Sequence, residues 1–360
     1  MIIKNIKIQN FRNLLNVRFS PHKKMNIFFG ENAQGKTNIL ESIWLLSGKK
    51  SFRGAKDREM VNFKRDFFKV QSKFIEDERE QEISVFYDNE KKFLINGVET
   101  KNLGEINGKF SAVVFSPSDI SLVGDGPSVR REFLDNAILS IYPAYEKVLK
   151  NYQKAVAQRN NSLKDLRFHS EIEFVLDAFE NSIANYGFLI IKYRNRYVDL
   201  LNEFAPTIFS EITRKKEILK LEYCTTVGAT IDDFRTQLRE SRESDMFTLK
   251  TSVGPHRDNL EVLINGVSAR NYGSQGQKRT ASISIKQSEG EVIEKVTSCR
   301  PVILLDDIMS ELDPERQNYI LNQIENKQVF LTCCDPSNIV NLKKGKVFKV
   351  ENGKTQRVKI

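Results

Sequence analysis

Cysteine in any ligand spacing and an unbroken apolar stretch are what this 360-residue sequence lacks. Cys224, Cys299, Cys333 and Cys334 fall in no CxxC or Cys/His pattern, so neither a zinc site nor a disulfide framework is indicated. No run approaches the ~18 apolar residues of a membrane span. The start, MIIKNIKIQNF, alternates apolar and polar residues where a targeting segment would carry a basic run and then an apolar core. A cytoplasmic protein with no membrane partner is expected. Glycine nearly vanishes between Pro127 and Pro206, which leaves little turn chemistry there and marks a helical insertion.

Hydrophobic residues make up 40% of the chain, enough to build a real core. Lysine and arginine number 56 against 47 acidic residues, a formal charge of +9. That excess suits an anionic partner, although a solvated basic surface would carry it equally well.

Residues 2 to 29 read as three strands, with Ile6 and Ile8 alternating, then Leu15, Val17 and Phe19, then the apolar run Met25 to Phe29. A helix follows from Asn38 through ILESIWLL, with Gly48 as its stop. FLINGVE (93–99) and VLINGVS (262–268) each place Asn-Gly between apolar residues, the preference of a type I′ turn, so both read as hairpins. Their five shared residues are too few to establish a repeat. Within the helical insertion, Ile172, Leu176, Phe179, Ile183, Tyr186, Ile190, Tyr193, Tyr197, Leu200 and Phe204 alternate spacings of four and three. A helix of roughly 33 residues would be about 50 Å long. Tyr145, Val148 or Leu149, Tyr152, Val156 and Leu163 form a matching upstream stripe, with a turn expected around Arg167 to Ser170. The pair reads as an antiparallel helical arm.

Gly30-Glu31-Asn32-Ala33-Gln34-Gly35-Lys36-Thr37 fits G-x-x-x-x-G-K-[ST] and stands after an apolar strand and before a helix. Glycines let backbone N–H groups close around phosphate oxygens, and the helix N-terminus adds partial positive charge. Lys36 is then placed for the β and γ phosphates and Thr37 for magnesium. Near the other end, Pro301-Val302-Ile303-Leu304-Leu305-Asp306-Asp307 reads as a buried strand ending in two carboxylates, the Walker B pattern. Asp306 is the expected magnesium holder, and Asp307 the residue that orients or deprotonates the attacking water. More than about 260 residues separate the two motifs, far more than a compact P-loop enzyme requires.

Tyr272-Gly273-Ser274-Gln275-Gly276-Gln277 precedes a helical run, and Ser310-Glu311-Leu312-Asp313 follows the carboxylates. Here the chain resembles the ABC-type ATPases. A Ser hydroxyl and glycine N–H groups opening a helix make a second γ-phosphate cradle, which the P-loop of the same chain does not require. The resemblance implies that Ser274, Gln275, Gly276, Gln277 and Asp313 complete the nucleotide site of a second copy. Asn10-Phe11-Arg12-Asn13, Lys50-Ser51-Phe52-Arg53, Phe115-Ser116-Pro117-Ser118-Asp119, the run Gly126 to Asp135, and Gly254-Pro255-His256-Arg257-Asp258 narrow it to the RecF family over the whole length. That family implies an α/β fold, an SMC-like ATPase head (1–124 and 207–360) carrying an inserted antiparallel helical arm (125–206). It further implies Arg12 and Asn38 as nucleotide contacts, ATP and Mg2+ as cofactors, and an ATP-dependent homodimer. Weak DNA-dependent ATP hydrolysis, binding to double-stranded or gapped DNA, and work with RecR and RecO in loading RecA complete the expectation.

Two features depart from the superfamily pattern. Gly290, in Ser288-Glu289-Gly290-Glu291, would weaken the helix after the Ser-Gln-Gly-Gln element by up to ~1 kcal/mol relative to alanine. Where transporters of the superfamily place a switch histidine, this chain has Thr332-Cys333-Cys334, so slow hydrolysis is expected. Lys49, Lys50, Arg53, Arg130 and Arg131 are the basic candidates for DNA. A stand-alone P-loop phosphotransferase remains an alternative, as does a transporter subunit, but neither uses the interface element together with a helical arm.

Overall fold

The computed structural model describes residues 1–76, 78–165, 173–323, 326–335 and 345–358. The strands run β1 (Ile2–Phe11), β2 (Leu14–Phe19), β3 (Met25–Phe29), β4 (Phe68–Glu76), β5 (Arg79–Tyr87), β6 (Lys91–Ile95), β7 (Val98–Thr100), β8 (Ala112–Phe115), β9 (Leu219–Cys224), β10 (Asn259–Ile264), β11 (Val267–Ser268), β12 (Val302–Asp306), β13 (Val329–Cys333), β14 (Gly345–Glu351) and β15 (Lys354–Val358). The helices are α1 (Lys36–Leu45), α2 (Leu103–Asn107), α3 (Pro117–Ile120), α4 (Pro127–Ile141), α5 (Ala144–Asp165), α6 (Glu173–Ile212), α7 (Ile231–Glu240), α8 (Arg242–Thr248), α9 (Ala269–Tyr272), α10 (Gln275–Thr297) and α11 (Pro314–Gln323). The chain forms two compact units, Met1–Ser121 with Ser282–Ile360, and Leu122–Ala281. The expected arm, 125–206, lies in the second unit, which also takes in the sheet residues that follow it, up to Ala281.

Two six-stranded sheets build the first unit. One is antiparallel, in the order β2-β1-β4-β5-β6-β7; the other runs β15-β14-β3-β13-β12-β8, with β14, β3, β13, β12 and β8 parallel and β15 antiparallel at its edge. The parallel strands β12, β13 and β8 read VILLD, VFLTC and AVVF and are buried residue after residue, as strands covered on both faces must be. Strand β1 instead alternates, Ile6 and Ile8 buried and Lys7 and Gln9 exposed, because it covers the core with one face only. Phe28 stacks between Phe348 and Phe330, with ring centroids 5.1 and 6.5 Å away. Helix α1 buries Ile39, Leu40 and Ile43 in the same core.

Helix α10 passes through Gly290 without interruption. A Cβ at Gly290 would meet Lys327 Nζ at 3.7 Å and Pro301 and Val113 carbons at 3.9 Å, ordinary contact distances. Gly290→Ala should therefore raise the unfolding free energy by up to about 1 kcal/mol in a urea titration.

In the second unit α5 and α6 pack antiparallel, Arg159 meeting Glu180 while Tyr145 meets Tyr193. The expected turn at Arg167–Ser170, and Ile172, lie outside the described residues. Leu176, Ile183, Ile190 and Tyr197 are buried as expected, but Phe179, Tyr186, Tyr193, Leu200 and Phe204 are only half-buried. The fully buried face of α6 includes Glu180, Ala184, Ile191, Arg194, Val198 and Leu201. An α-helix turns every 3.6 residues, so a 3.5-residue stripe drifts off its buried face. Helix α6 also continues past Pro206 to Ile212, because Ile208 and Phe209 bury apolar side chains beyond it, offsetting the ~3 kcal/mol that an internal proline costs.

Both Leu-Ile-Asn-Gly-Val segments are hairpins. Asn96 and Gly97, and Asn265 and Gly266, all have positive φ, as a type I′ turn demands. A third such turn, Asn352-Gly353, joins β14 to β15.

Candidate nucleotide site

Strand β3 ends at Phe29, and the chain turns through residues 30–35 into α1. Only glycine passes at Gly30, where φ is +150° and a Cβ would stand 2.3 Å from the Val350 carbonyl oxygen. Lys36 folds back inside the loop, its Nζ donating to the carbonyls of Gly30 (2.6 Å) and Glu31 (2.8 Å), with Cys334 Sγ 3.9 Å away. The next residue reaches the Walker B strand: Thr37 Oγ1 donates to Asp306 Oδ1 at 2.8 Å, across 269 positions of sequence.

Thr332, at the end of neighbouring β13, ties both carboxylate residues together. Its hydroxyl donates to Asp306 Oδ1 (2.9 Å) and accepts from the Asp307 N–H (2.9 Å). Burial pushes the Asp306 carboxyl above its ordinary range, the bonds from Thr37 and Thr332 pull it back and Asp307 pushes it up again. Asp307 is likewise raised, by burial first, with Lys36 opposing and Glu311 adding. Two raised carboxyls beside a threonine hydroxyl form an oxygen set that a hard divalent cation would neutralise, so the residues fit magnesium. Thr37 and Asp306 would hold it, and it would supply charge neutralisation at the phosphates.

Two turns brace the loop. Asn13 Nδ2, in the β1–β2 turn, donates to the Gln34 carbonyl (3.1 Å), and Asn38 Nδ2 donates to Asn13 Oδ1 (2.8 Å). From the β14–β15 turn, the Gly353 N–H reaches the Gln34 carbonyl (3.1 Å) and the Asn352 N–H reaches Gln34 Oε1 (2.7 Å). Asn32 Oδ1 accepts from Cys334 Sγ at 3.3 Å. Arg12 is held bidentate by Glu41, at 2.5 and 2.9 Å, and Glu41 also accepts from Ser51 and stands 4.0 Å from Arg53. Glu41, fully buried on α1, organises Arg12, Ser51 and Arg53 and was not singled out from the sequence; a lone carboxylate within the apolar ILESIWLL was the available signal.

Two of the basic DNA candidates are corrected. Arg130 is 1% exposed, and its guanidinium donates to Asn259 Oδ1 and to the carbonyls of Leu122, Val123 and Asp125. Lys49, 11% exposed at its side chain, lies over the Trp44 ring and donates to the Ala112 carbonyl, with Glu289 3.8 Å away. Neither charge is free to meet a phosphate backbone. Arg131 is half-buried and donates to the Asp258 carbonyl, whereas Lys50 and Arg53 are exposed.

Burial draws Lys49 down to about 8, against the attraction of Glu289 and with repulsion from Lys286. Since the unfolded amine titrates higher, at ~10.4, the unfolded chain binds more protons between these values and stability rises with pH there. Lys49→Met removes that rise. The unfolding free energy of the wild type minus that of the variant should increase by on the order of 2–3 kcal/mol from pH 7 to pH ~10.

Ser274 and Gln277, in the second unit, form a reciprocal cap at the start of α10: Ser274 N–H donates to Gln277 Oε1 (2.7 Å) and Gln277 N–H to Ser274 Oγ (3.2 Å). Gln277 Nε2 is held by Glu217, and Ser274 and Gln275 are exposed, Gly276 half-buried. Asp313, in the first unit, accepts from the Arg316 N–H at the start of α11 and pairs with the Arg316 guanidinium.

The RecF/RecN/SMC N terminal domain family matches residues 2–356. The chain is 38% identical to the DNA replication and repair protein RecF of Lachnospira eligens and 37% identical to that of Clostridium acetobutylicum, covering 98% of itself in each case and 98% and 99% of those proteins. Among solved structures it is similar to the recombination mediator protein RecF-ATPrS in the RecFOR pathway, with TM-score 0.92, 38% identity, and 99% and 98% of the two chains covered. The Smc head domain with a coiled coil and joint from Pyrococcus yayanosii shares the fold at 12% identity and TM-score 0.55, over 100% and 97% of the chains. The α/β fold with an inserted helical pair is thus that of an SMC-like, ABC-type ATPase head.

Proposed function

This chain belongs to the RecF family, and from that premise we propose that it is an ATP-dependent, DNA-binding clamp of recombinational and gap repair. ATP would lie on residues 30–38 beside Arg12, with Lys36 toward the β and γ phosphates, and Thr37 and Asp306 would hold Mg2+. Asp307 orients the attacking water. A second copy supplies Ser274, Gln275, Gly276, Gln277 and Asp313, so that two sites close together and hydrolysis reopens them. Turnover is slow, because Thr332-Cys333-Cys334 stands where a switch histidine would be, and Thr332 there bonds the Asp306 carboxylate and the Asp307 N–H. Double-stranded or gapped DNA is the ligand of the closed pair, with Lys50, Arg53 and Arg131 as remaining basic contacts, and RecR, RecO and RecA are the partners.

The observation that carries this reading is the Thr37–Asp306 contact, which unites the P-loop and the Walker B strand at magnesium-binding distance from one another. A relative 38% identical is described with ATP itself. Sedimentation with and without ATP and magnesium tests it: the wild type should pair only with nucleotide. Ser274→Asp keeps an acceptor for the α10 cap but sets a carboxylate against the triphosphate, so this variant should bind ATP and stay monomeric. Nucleotide-independent pairing, or a Ser274→Asp protein that pairs normally, would sink the shared site.

A further inference from the structure

The first unit carries a concave basic surface that the nucleotide chemistry does not use. Edge strands β2 and β15 lie next to one another, and two adjoining cavities, about 470 and 220 Å3 in volume, share Arg18 and Thr355 in their linings. Arg18, Lys346, Lys354 and Arg357 supply four cations, and no acidic residue lines either cavity. None of the four makes an ion pair among the described residues; Lys346 is only steadied by the Ser20 carbonyl at 2.8 Å. Some other lysines on this unit pair with carboxylates, Lys91 with Asp57 and Lys349 with Glu351. His22 reports the local field, its pKa lowered by burial and then by Lys346, Lys23 and Lys24.

We infer that the β2–β15 groove binds the sugar–phosphate backbone of nucleic acid. The inference rests on the DNA-binding reading above and gives it a location. A strand rises about 3.3 Å per residue, so Lys354 and Arg357 stand roughly 10 Å apart along β15, on alternate faces of the strand, Arg357 opposite Phe348 and Lys354 opposite Glu351 in the β14–β15 register. That spread is wider than one small anion bridges, and several cations distributed along an edge suit an extended polyanion. Asn16 and Thr355 add neutral donors to the lining. The groove also adjoins the P-loop through covalent structure and hydrogen bonds, since the turn that begins β15 is the one whose Asn352 and Gly353 hold Gln34. The competing explanation is that cations on edge strands merely prevent sheet-to-sheet pairing.

Arg18→Gln/Lys354→Gln/Arg357→Gln separates the two, with Arg18→Lys/Arg357→Lys as the charge-preserving control. Binding of a labelled DNA duplex is followed by fluorescence anisotropy with ATP present, from ~50 to ~300 mM salt. The neutralised protein should bind at least about tenfold more weakly, with a log–log salt slope shallower by roughly 2–3, while the control matches the wild type. A neutralised protein that keeps its ATP affinity and unfolding midpoint yet binds duplex with wild-type affinity and slope overturns the groove and leaves the repair reading standing. A wild type that binds no duplex at low salt brings down both.

Discussion

A Lys36→Met protein should lose ATP affinity by at least about 100-fold, close to 2.8 kcal/mol, in a calorimetric titration with magnesium present. Lys36 is 7% exposed, and its ammonium sits inside the loop, bonded to two of the loop's own carbonyls, Gly30 and Glu31. It makes no ion pair among the described residues, and beyond the pull it exerts on the Asp307 carboxyl its charge is available to an entering anion. Methionine keeps much of the apolar stem while deleting the charge and both ties. Folding should change little, since Asn13, Asn352 and Gly353 brace the loop independently. An affinity within about threefold of the wild type would show that the triphosphate does not depend on this lysine, and the P-loop assignment would fail.

Arg159→Met should cost the second unit about 3–5 kcal/mol of unfolding free energy. The Arg159 side chain has no exposed surface, and it pairs with Glu180 at 3.0 Å and Asp245 at 2.6 Å while donating to Thr251 Oγ1 and the Leu238 carbonyl. It therefore ties α5 to α6, to the end of α7 and to α8. Removing the guanidinium leaves the buried Asp245 carboxylate with the Ser241 hydroxyl and the Ser252 N–H as its remaining donors among the described residues. Glu180 keeps Arg242, so the damage should centre on α8. Urea unfolding followed by far-ultraviolet circular dichroism measures the loss; a change below about 1 kcal/mol would mean that solvent or the neighbouring serines satisfy Asp245 unaided. Replacing Arg159 and Asp245 together by apolar residues should recover part of the stability, because the stranded charge is then gone.

These two arginine and lysine sites differ in how readable they were. Lys36 announces itself, because the glycines at 30 and 35 and the threonine at 37 are needed within one turn of chain for one purpose. Arg159 lies on a helix whose sequence is mostly polar, and although it falls on the spacing of Tyr152, Val156 and Leu163, nothing local tells that its charge is buried or which carboxylates it meets. The same is true of Lys49 and Arg130, whose charge suggested a DNA surface. Their burial depends on Trp44, Ala112 and Glu289 in one case and on Asn259 and the Leu122–Asp125 carbonyls in the other. The Ser274–Gln277 cap was legible as S-x-x-Q, but that spacing serves a helix start whether or not a phosphate ever meets it.

By itself the sequence determined the strands and helices around both motifs, the two hairpin turns, the phosphate loop and the carboxylate-ended strand, because steric freedom at glycine and apolar periodicity act between near neighbours. Tertiary structure alone decided that Thr37 meets Asp306, that Thr332 holds the Asp306 carboxylate and the Asp307 N–H, that Glu41 captures Arg12, and which cations are buried and which line a groove. A side chain's charge is written in the sequence, but the dielectric and partners that give the charge its effect come from segments hundreds of residues away.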